Sequence, residues 1–278
     1  MSGEVDRFDR CARRWGVTVE STLDTQSALL AFGTRDDRAV VLKVVRAPGD
    51  EWHAGEILAA FGGEGTARVL AHEPGAALLE RVVPGTSLTS LALEGRDDEA
   101  TEILADVIQR MGASEPRVTR APTVEEWGRG FRSYLESGDA QVPAGLVDRA
   151  WEVYARLFAS QQHTRLLHGD LQHYNVLFDA DRGWLAIDPK GVVGEVEYEL
   201  GASLRNPGER PDLFASPEIV SRRVGQYAAQ LGVDADRALR WAYAQAVLSA
   251  IWSVEDGFPV DSGHQSLRLA RAVEPLLG

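Results

Sequence analysis

The sequence predicts an α+β chain with a small β-rich N-terminal lobe, residues 1–83, and a larger helical C-terminal lobe, residues 84–278. Three observations carry that prediction. Short runs that alternate or are dense in β-branched residues, such as "RAVVLKVV", crowd the N-terminal part. The character changes at Pro84-Gly85. Beyond it, apolar residues recur at helical spacing over long stretches. With 278 residues, 44% hydrophobic and 26% charged, the chain is long enough for two lobes and ordinary for a globular protein.

The elements follow in order. "GVTVEST" alternates, "SALLAFGT" is apolar and "RAVVLKVV" is β-branched, with "RDDR" as the turn between the last two. In "DEWHAGEILAAFGG", Asp50 can cap a helix carrying Trp52, Ile57, Leu58 and Phe61 at helical spacing, and Gly62-Gly63 ends it. "ARVLAHEPGAALLERVV" reads as two strands about a Pro-Gly turn, and Glu80–Gly85 as the linker between lobes. Helical patterns then cover Asp98–Met111, Val124–Ser137 and Leu146–Gln162; in the last, Leu146, Ala150, Tyr154 and Leu157 share a face. "NVLF" and "WLAI" form a hairpin across "DADRG". Helices return over Glu218–Leu231, Asp234–Asp256 and Ser262–Leu277.

Composition narrows the function. No apolar run approaches the roughly 20 residues of a membrane span, and "MSGEVDRFDRCARRWG" lacks the apolar core of a secretion signal. Cys11 is the single cysteine, which fits a reducing compartment, so the expected location is the cytoplasm. A net charge of −13 repels nucleic acid and anionic lipid and favours a cationic small molecule, although acidity also simply keeps a protein soluble. The expected partner is such a molecule, taken up by a monomer, with no nucleic acid and no membrane.

Of the 29 basic residues only Lys43 and Lys190 are lysines. Where arginine is the default cation, each lysine calls for an explanation. A compact ammonium suits a narrow slot over phosphates better than a planar fork does. Lys43 lies mid-strand in "VVLKVV", where a charge either points into a cleft or guards an exposed sheet edge. Glu56, on the following helix, is placed to pair with it.

Transfer of a phosphoryl group from a nucleotide needs cations on the phosphates, ligands for Mg²⁺ and a group that orients the attacking hydroxyl. "LLHGDLQHYNVLFD" supplies H-x-D-x-x-x-x-N: His168, Asp170 and Asn175. Asp170 would take or orient the hydroxyl proton, and Asn175 would hold magnesium. Asp188 ends "WLAIDP", and the hairpin sets it beside Asn175; hard oxygens from one or two side chains suit Mg²⁺. Two other readings of the stretch stand beside this one: a satisfied polar turn, and a zinc site made of His168, Asp170 and His173. The zinc reading leaves Asn175, Asp188 and both lysines without a role.

"LLHGDLQHYNVLFD…GWLAIDPKGVVGEVEYELGASLRNP" resembles the aminoglycoside 6-phosphotransferases, the streptomycin 6-kinases grouped with hydroxyurea phosphotransferases. The likeness is strongest over Leu166–Pro207 and extends more weakly from "LKVV" to "LSAIWSVEDG". It implies a bilobal protein-kinase-like fold with ATP between the lobes. It implies Lys43 as the phosphate anchor, Glu56 as its partner, Asp170 as the catalytic base, and Asn175 and Asp188 as magnesium ligands. It further implies Glu80, Arg81 and Val82 as the hinge that meets adenine, Lys190 near the transferred phosphate, and Glu199 as a brace for the catalytic loop. The chain departs from the family in having "LDTQSAL" where a glycine-rich phosphate loop is usual. Gln172 and Tyr174 also replace residues of the common H-G-D-L-H-H-E-N, though neither belongs to the metal set.

Streptomycin carries two guanidinium groups and an amine, so its site should offer carboxylates and flat aromatic faces. Gln245, Ser249, Trp252 and Asp256 on one helical stripe, with Glu255 adjacent, are candidates, as are Glu195 and Glu197. The expected activity is ATP- and Mg²⁺-dependent phosphorylation of streptomycin at its 6-hydroxyl, which would confer antibiotic resistance. The alternatives are a kinase of another small hydroxylated compound, hydroxyurea included, and a non-catalytic nucleotide-binding protein.

Overall fold

The computed structural model describes residues 2–112 and 121–278. Helix α1 (Ser2–Arg14) precedes β1 (Thr18–Asp24), β2 (Ala28–Arg35) and β3 (Arg38–Val45); a 3-10 turn (Asp50–His53) then leads into α2 (Ala54–Ala60). Next come β4 (Val69–Glu73), β5 (Ala76–Glu80), β6 (Pro84–Ser87), α3 (Thr89–Leu93), α4 (Asp97–Met111), α5 (Val124–Trp127), α6 (Arg129–Ser137) and α7 (Ala144–Ala159). The chain continues through β7 (Arg165–Leu167), β8 (Val176–Asp179), β9 (Gly183–Ala186), β10 (Val192–Gly194) and α8 (Val196–Leu204). It ends with α9 (Pro217–Leu231), α10 (Ala235–Glu255) and α11 (Gln265–Val273). Among the described residues no helix is long and apolar enough to cross a membrane.

Contacts divide the chain into two compact units. One gathers the described residues of 1–87, 107–120 and 175–191; the other gathers 88–106, 121–174 and 192–278.

In the first unit, β1 to β5 form an antiparallel sheet in the order β1-β2-β3-β5-β4. The alternation of "RAVVLKVV" is a division of labour. Val40, Leu42 and Val44 are fully buried on one face, packed on Phe8, Cys11 and Ala12 of α1. Val41 and Lys43 take the other face, because successive strand residues point to opposite sides. β3 lies between β2 and β5, so Lys43 is not guarding an edge. Helix α1 is not evident from the sequence: its many charges hide an apolar face at Phe8, Cys11 and Ala12, which Trp15 continues just past its end. β6, β8 and β9 form a second sheet in the order β6-β8-β9. β8 and β9 are the expected hairpin, with Val176 opposite Ala186.

Gly191, just after "DPK", has φ +81°, and a Cβ there would lie 2.5 Å from Ile57 of α2. No side chain fits that approach.

The second unit is helical around α10, which packs against α7, α8 and α11. Tyr154 and Tyr198 each meet Trp241 edge to face with centroids 5.0 Å apart, a favoured aromatic geometry. Arg223 of α9 and Asp97 at the start of α4 form a buried bidentate ion pair, and Arg222 also reaches Asp97. These guanidiniums outweigh burial and hold the Asp97 carboxyl below its ordinary range. The helix expected over Val124–Ser137 is two pieces joined at Gly128, where a Cβ would lie 2.7 Å from the Tyr154 ring. The expected helix Ser262–Leu277 narrows to α11 followed by a 3-10 turn.

Candidate active site

Within the first unit, the face of the sheet opposite α1 lines a cavity of about 380 Å³, in the range of small-molecule sites. Its walls are largely apolar, with Leu30, Val41, Ala77, Leu177 and Ile187 among them, and Lys43 and Asp188 are among its charged residues. The Lys43 ammonium pairs with Asp188 and, at 2.6 Å, with Glu51. Burial works against its charge, but the two carboxylates prevail and hold it above its ordinary pKa.

The expected pairing of Lys43 with Glu56 is corrected here. Glu51 takes that place, and Glu56 lies 3.7 Å from His53 instead. The cause is local: residues 50–53 form a 3-10 turn and α2 begins only at Ala54, so the acid before the helix, not the one inside it, faces the lysine. Glu51 also accepts from the Ser27 hydroxyl. Ser27 belongs to the glycine-free β1–β2 turn, where the Thr25 hydroxyl exchanges hydrogen bonds with Ala28 at 2.7 and 3.0 Å. Thr25, Ser27 and Ala28 all line the cavity.

Asp188 sits at φ +61°, a left-handed conformation that non-glycine residues seldom adopt and that recurs at functional positions. The Ile187 N–H donates to the Asn175 carbonyl at 2.9 Å, so the hairpin brings the backbone at Asn175 beside Asp188. Lys190 follows, half-buried. Glu80, Arg81 and Val82 line the cavity as well. The N–H groups of Glu80, Arg81 and Val83 go to the Arg68 carbonyl, the Ala39 carbonyl and the Asp179 carboxylate. The Glu80 carboxylate pairs with Arg68 and Arg182.

Within the second unit, the loop after β7 carries His168, Gly169 and Asp170. Buried Glu199 of α8 accepts from the His168 N–H (2.6 Å) and the Gly169 N–H (3.0 Å), and burial pushes its carboxyl up. The Asp170 N–H donates to His168 Nδ1 at 3.3 Å. Arg205, just past α8, places Nη2 3.7 Å from Asp170 Oδ1. His173 is buried beside the Arg223–Asp97 pair, and burial together with Arg223 pushes it down to about 3.

The zinc reading is overturned. Among the described residues no three His, Cys, Asp or Glu side chains gather to hold a metal ion. Asn175 and Asp188 instead offer two hard oxygens, a donor set that fits magnesium completed by phosphate and water.

The acceptor candidates divide. Glu195 is corrected: it is buried and accepts from both Trp241 and Arg237, so it braces the helices and does not face a substrate. Gln245, on the expected stripe, is also buried. Trp252 is half-buried and meets Trp127 edge to face, centroids 5.3 Å apart, while Glu255 and Asp256 are exposed at the end of α10. Trp127, Glu51 and Arg205 went unnoticed in the sequence. Nothing there separates Glu51 from Glu56, and Arg205 is one more arginine in an arginine-rich chain.

The sequence profile of the aminoglycoside/hydroxyurea antibiotic resistance kinases matches residues 14–257. A streptomycin 3''-kinase of Klebsiella pneumoniae is 36% identical over 252 residues, 88% of this chain and 91% of that one. A streptomycin 6-kinase of Streptomyces griseus is 29% identical over 260 residues, 89% and 82% of the two chains. Among solved structures, an aminoglycoside phosphotransferase in ternary complex with ADP and hygromycin B superposes with TM-score 0.69 at 14% identity, over 98% of this chain and 99% of its own. The fold is therefore the expected α+β, protein-kinase-like one.

Proposed function

Because the chain belongs to the aminoglycoside/hydroxyurea antibiotic resistance kinase family, we propose that it transfers the terminal phosphate of ATP to a hydroxyl of streptomycin. The observation that carries this reading is the Lys43 ammonium held between Glu51 and Asp188 at an apolar cavity. Such a cavity suits a flat base, and its charged end suits phosphates.

In this reading Lys43 and Lys190 meet the phosphates, and the backbone of Glu80–Val82 meets adenine. Asn175 and Asp188 hold magnesium, which when bound neutralises phosphate charge. Asp170 orients the acceptor hydroxyl and takes its proton. The hydroxyl oxygen bonds to the terminal phosphorus while the bond from that phosphorus to its bridging oxygen breaks, releasing ADP. Trp127, Trp252, Glu255 and Asp256 offer rings and carboxylates to a guanidinium-bearing acceptor. An acidic chain acting in the cytoplasm as a monomer suits that role.

The higher identity to the 3''-kinase favours the 3''-hydroxyl as the site of transfer, and likeness to the 6-kinase supports a second reading at the 6-hydroxyl. Incubation with ATP, magnesium and streptomycin, followed by phosphorus–proton NMR of the product, separates them. Coupling to the 3'' proton is expected, and coupling to the 6 proton would establish the second reading. Phosphorylation of hydroxyurea without any phosphorylation of streptomycin would defeat the choice of acceptor. Absence of ADP formation with every acceptor tried, beside retained ATP binding, would instead favour the non-catalytic reading.

A further inference from the structure

Arg205 is 7% exposed, and a buried guanidinium is costly unless its donors are met. Two groups meet it. Nη1 donates to Gln245 Oε1 at 3.0 Å, and Nη2 lies 3.7 Å from Asp170 Oδ1. Gln245 is itself fixed, since its Nε2 donates to the Tyr198 carbonyl at 3.3 Å. α8 makes room for this amide only because residue 201 is glycine: a Cβ there would lie 1.8 Å from Gln245 Oε1. The run "YELGASLR" therefore grips the loop twice, through Glu199 on the His168 and Gly169 N–H groups and through Arg205 on the Asp170 side chain.

Burying an ion pair merely to stabilise a fold is a poor bargain, because apolar residues of similar volume do as well or better. Asp170, unlike Arg205, has a side chain 27% exposed, so the pair joins a buried, immobilised cation to a carboxylate that can reach a ligand. A planar fork can serve two acceptors at once, which an ammonium on a flexible stem does less well.

We infer that Arg205, aligned by Gln245, is a positioning residue that holds the Asp170 carboxylate in the orientation used for phosphoryl transfer. The inference rests on the proposed role of Asp170. Arg205 acts on the reaction through that carboxylate and not through either substrate. Gly201 and Gln245, on two different helices, thereby bear on a group that neither of them touches.

The test is steady-state kinetics with ATP and streptomycin on Arg205→Met and Arg205→Lys, each alone and combined with Asp170→Asn, with thermal melting as a check on folding. Arg205→Met should lower kcat by about 10- to 100-fold while leaving both KM values within about threefold. Arg205→Lys, which keeps the charge but not the fork, should recover part of that loss. In the Asp170→Asn background, Arg205→Met should change turnover by less than about threefold, because the group it positions is gone. Losses that multiply in the double variant, or a raised KM at constant kcat, would overturn the inference. Should Arg205→Met not fold, Arg205→Lys and Gln245→Leu carry the same cycle. Full turnover in Arg205→Met beside a crippled Asp170→Asn defeats this inference alone, whereas full turnover in Asp170→Asn defeats the reading of the site and this inference with it.

Discussion

The two units hold their chemical groups by opposite means. At the charged end of the cavity in the first unit, the largely buried Lys43 leans on two carboxylates that are themselves partly exposed. Those pairings are contacts that a charged ligand can compete for. In the second unit, the loop bearing Asp170 is held by buried groups. Glu199 is spent on its backbone, Arg205 on its carboxylate, and Arg223–Asp97 lies beside His173. Of these groups only the Asp170 carboxylate is partly exposed. On the proposed function, the surface that accepts the nucleotide is built from exchangeable ion pairs, and the loop that carries the proton acceptor is held from behind by buried groups.

That contrast can be broken at several points. The largest effect should come from Asp188→Asn and Asp170→Asn, each lowering turnover by about 10² to 10⁴. They should part company in binding. Asp170→Asn should leave ATP affinity near normal, while Asp188→Asn should shift the magnesium titration; identical magnesium curves for Asp188→Asn and wild type would strike it from the metal set.

The next effect concerns stability against pH. His173 stays neutral in the fold down to about 3, whereas in the unfolded chain it titrates near 6.5. Between those values the unfolded state binds more protons, so stability is full above pH 6.5 and falls as the pH drops toward 3. The loss attributable to this group is roughly 1 kcal/mol per pH unit within that window. Denaturant titrations of wild type and His173→Gln at about pH 7 and pH 4.5 measure it. A difference between the two proteins that does not change with pH would refute it.

The smallest effect sharpens the first unit. Glu51→Gln should raise the KM for ATP by about 3- to 10-fold, and Glu56→Gln should change it by less than about twofold. The reverse ranking would return Glu56 to the place the sequence suggested.

How much was legible depended on what kind of contrast each residue made with its surroundings. Lys43 stood out because lysine is rare here and because its strand alternates. Asn175 and Asp188 stood out because a short hairpin with a tight turn can only bring its ends together. Glu51 did not, because two acids five positions apart in one helical pattern look alike until the start of the helix is known. Glu195 misled for a related reason. Its sequence neighbours give no hint that Trp241 and Arg237, far along the chain, will enclose it. Arg205 was hidden by abundance, and α1 by the charges on its outer face.

The bare backbone at Gly191 has a bearing on the lysine. Ile57 presses where a methyl group would otherwise stand, so α2 and the run leaving Asp188 approach until one isoleucine fills the gap. Glu51 belongs to the turn that enters this helix, and Asp188 to that run. The width of a single aliphatic side chain thus acts as a gauge for the separation of the two acids that share the ammonium, and a bulkier residue at either face would respace them without altering a charge.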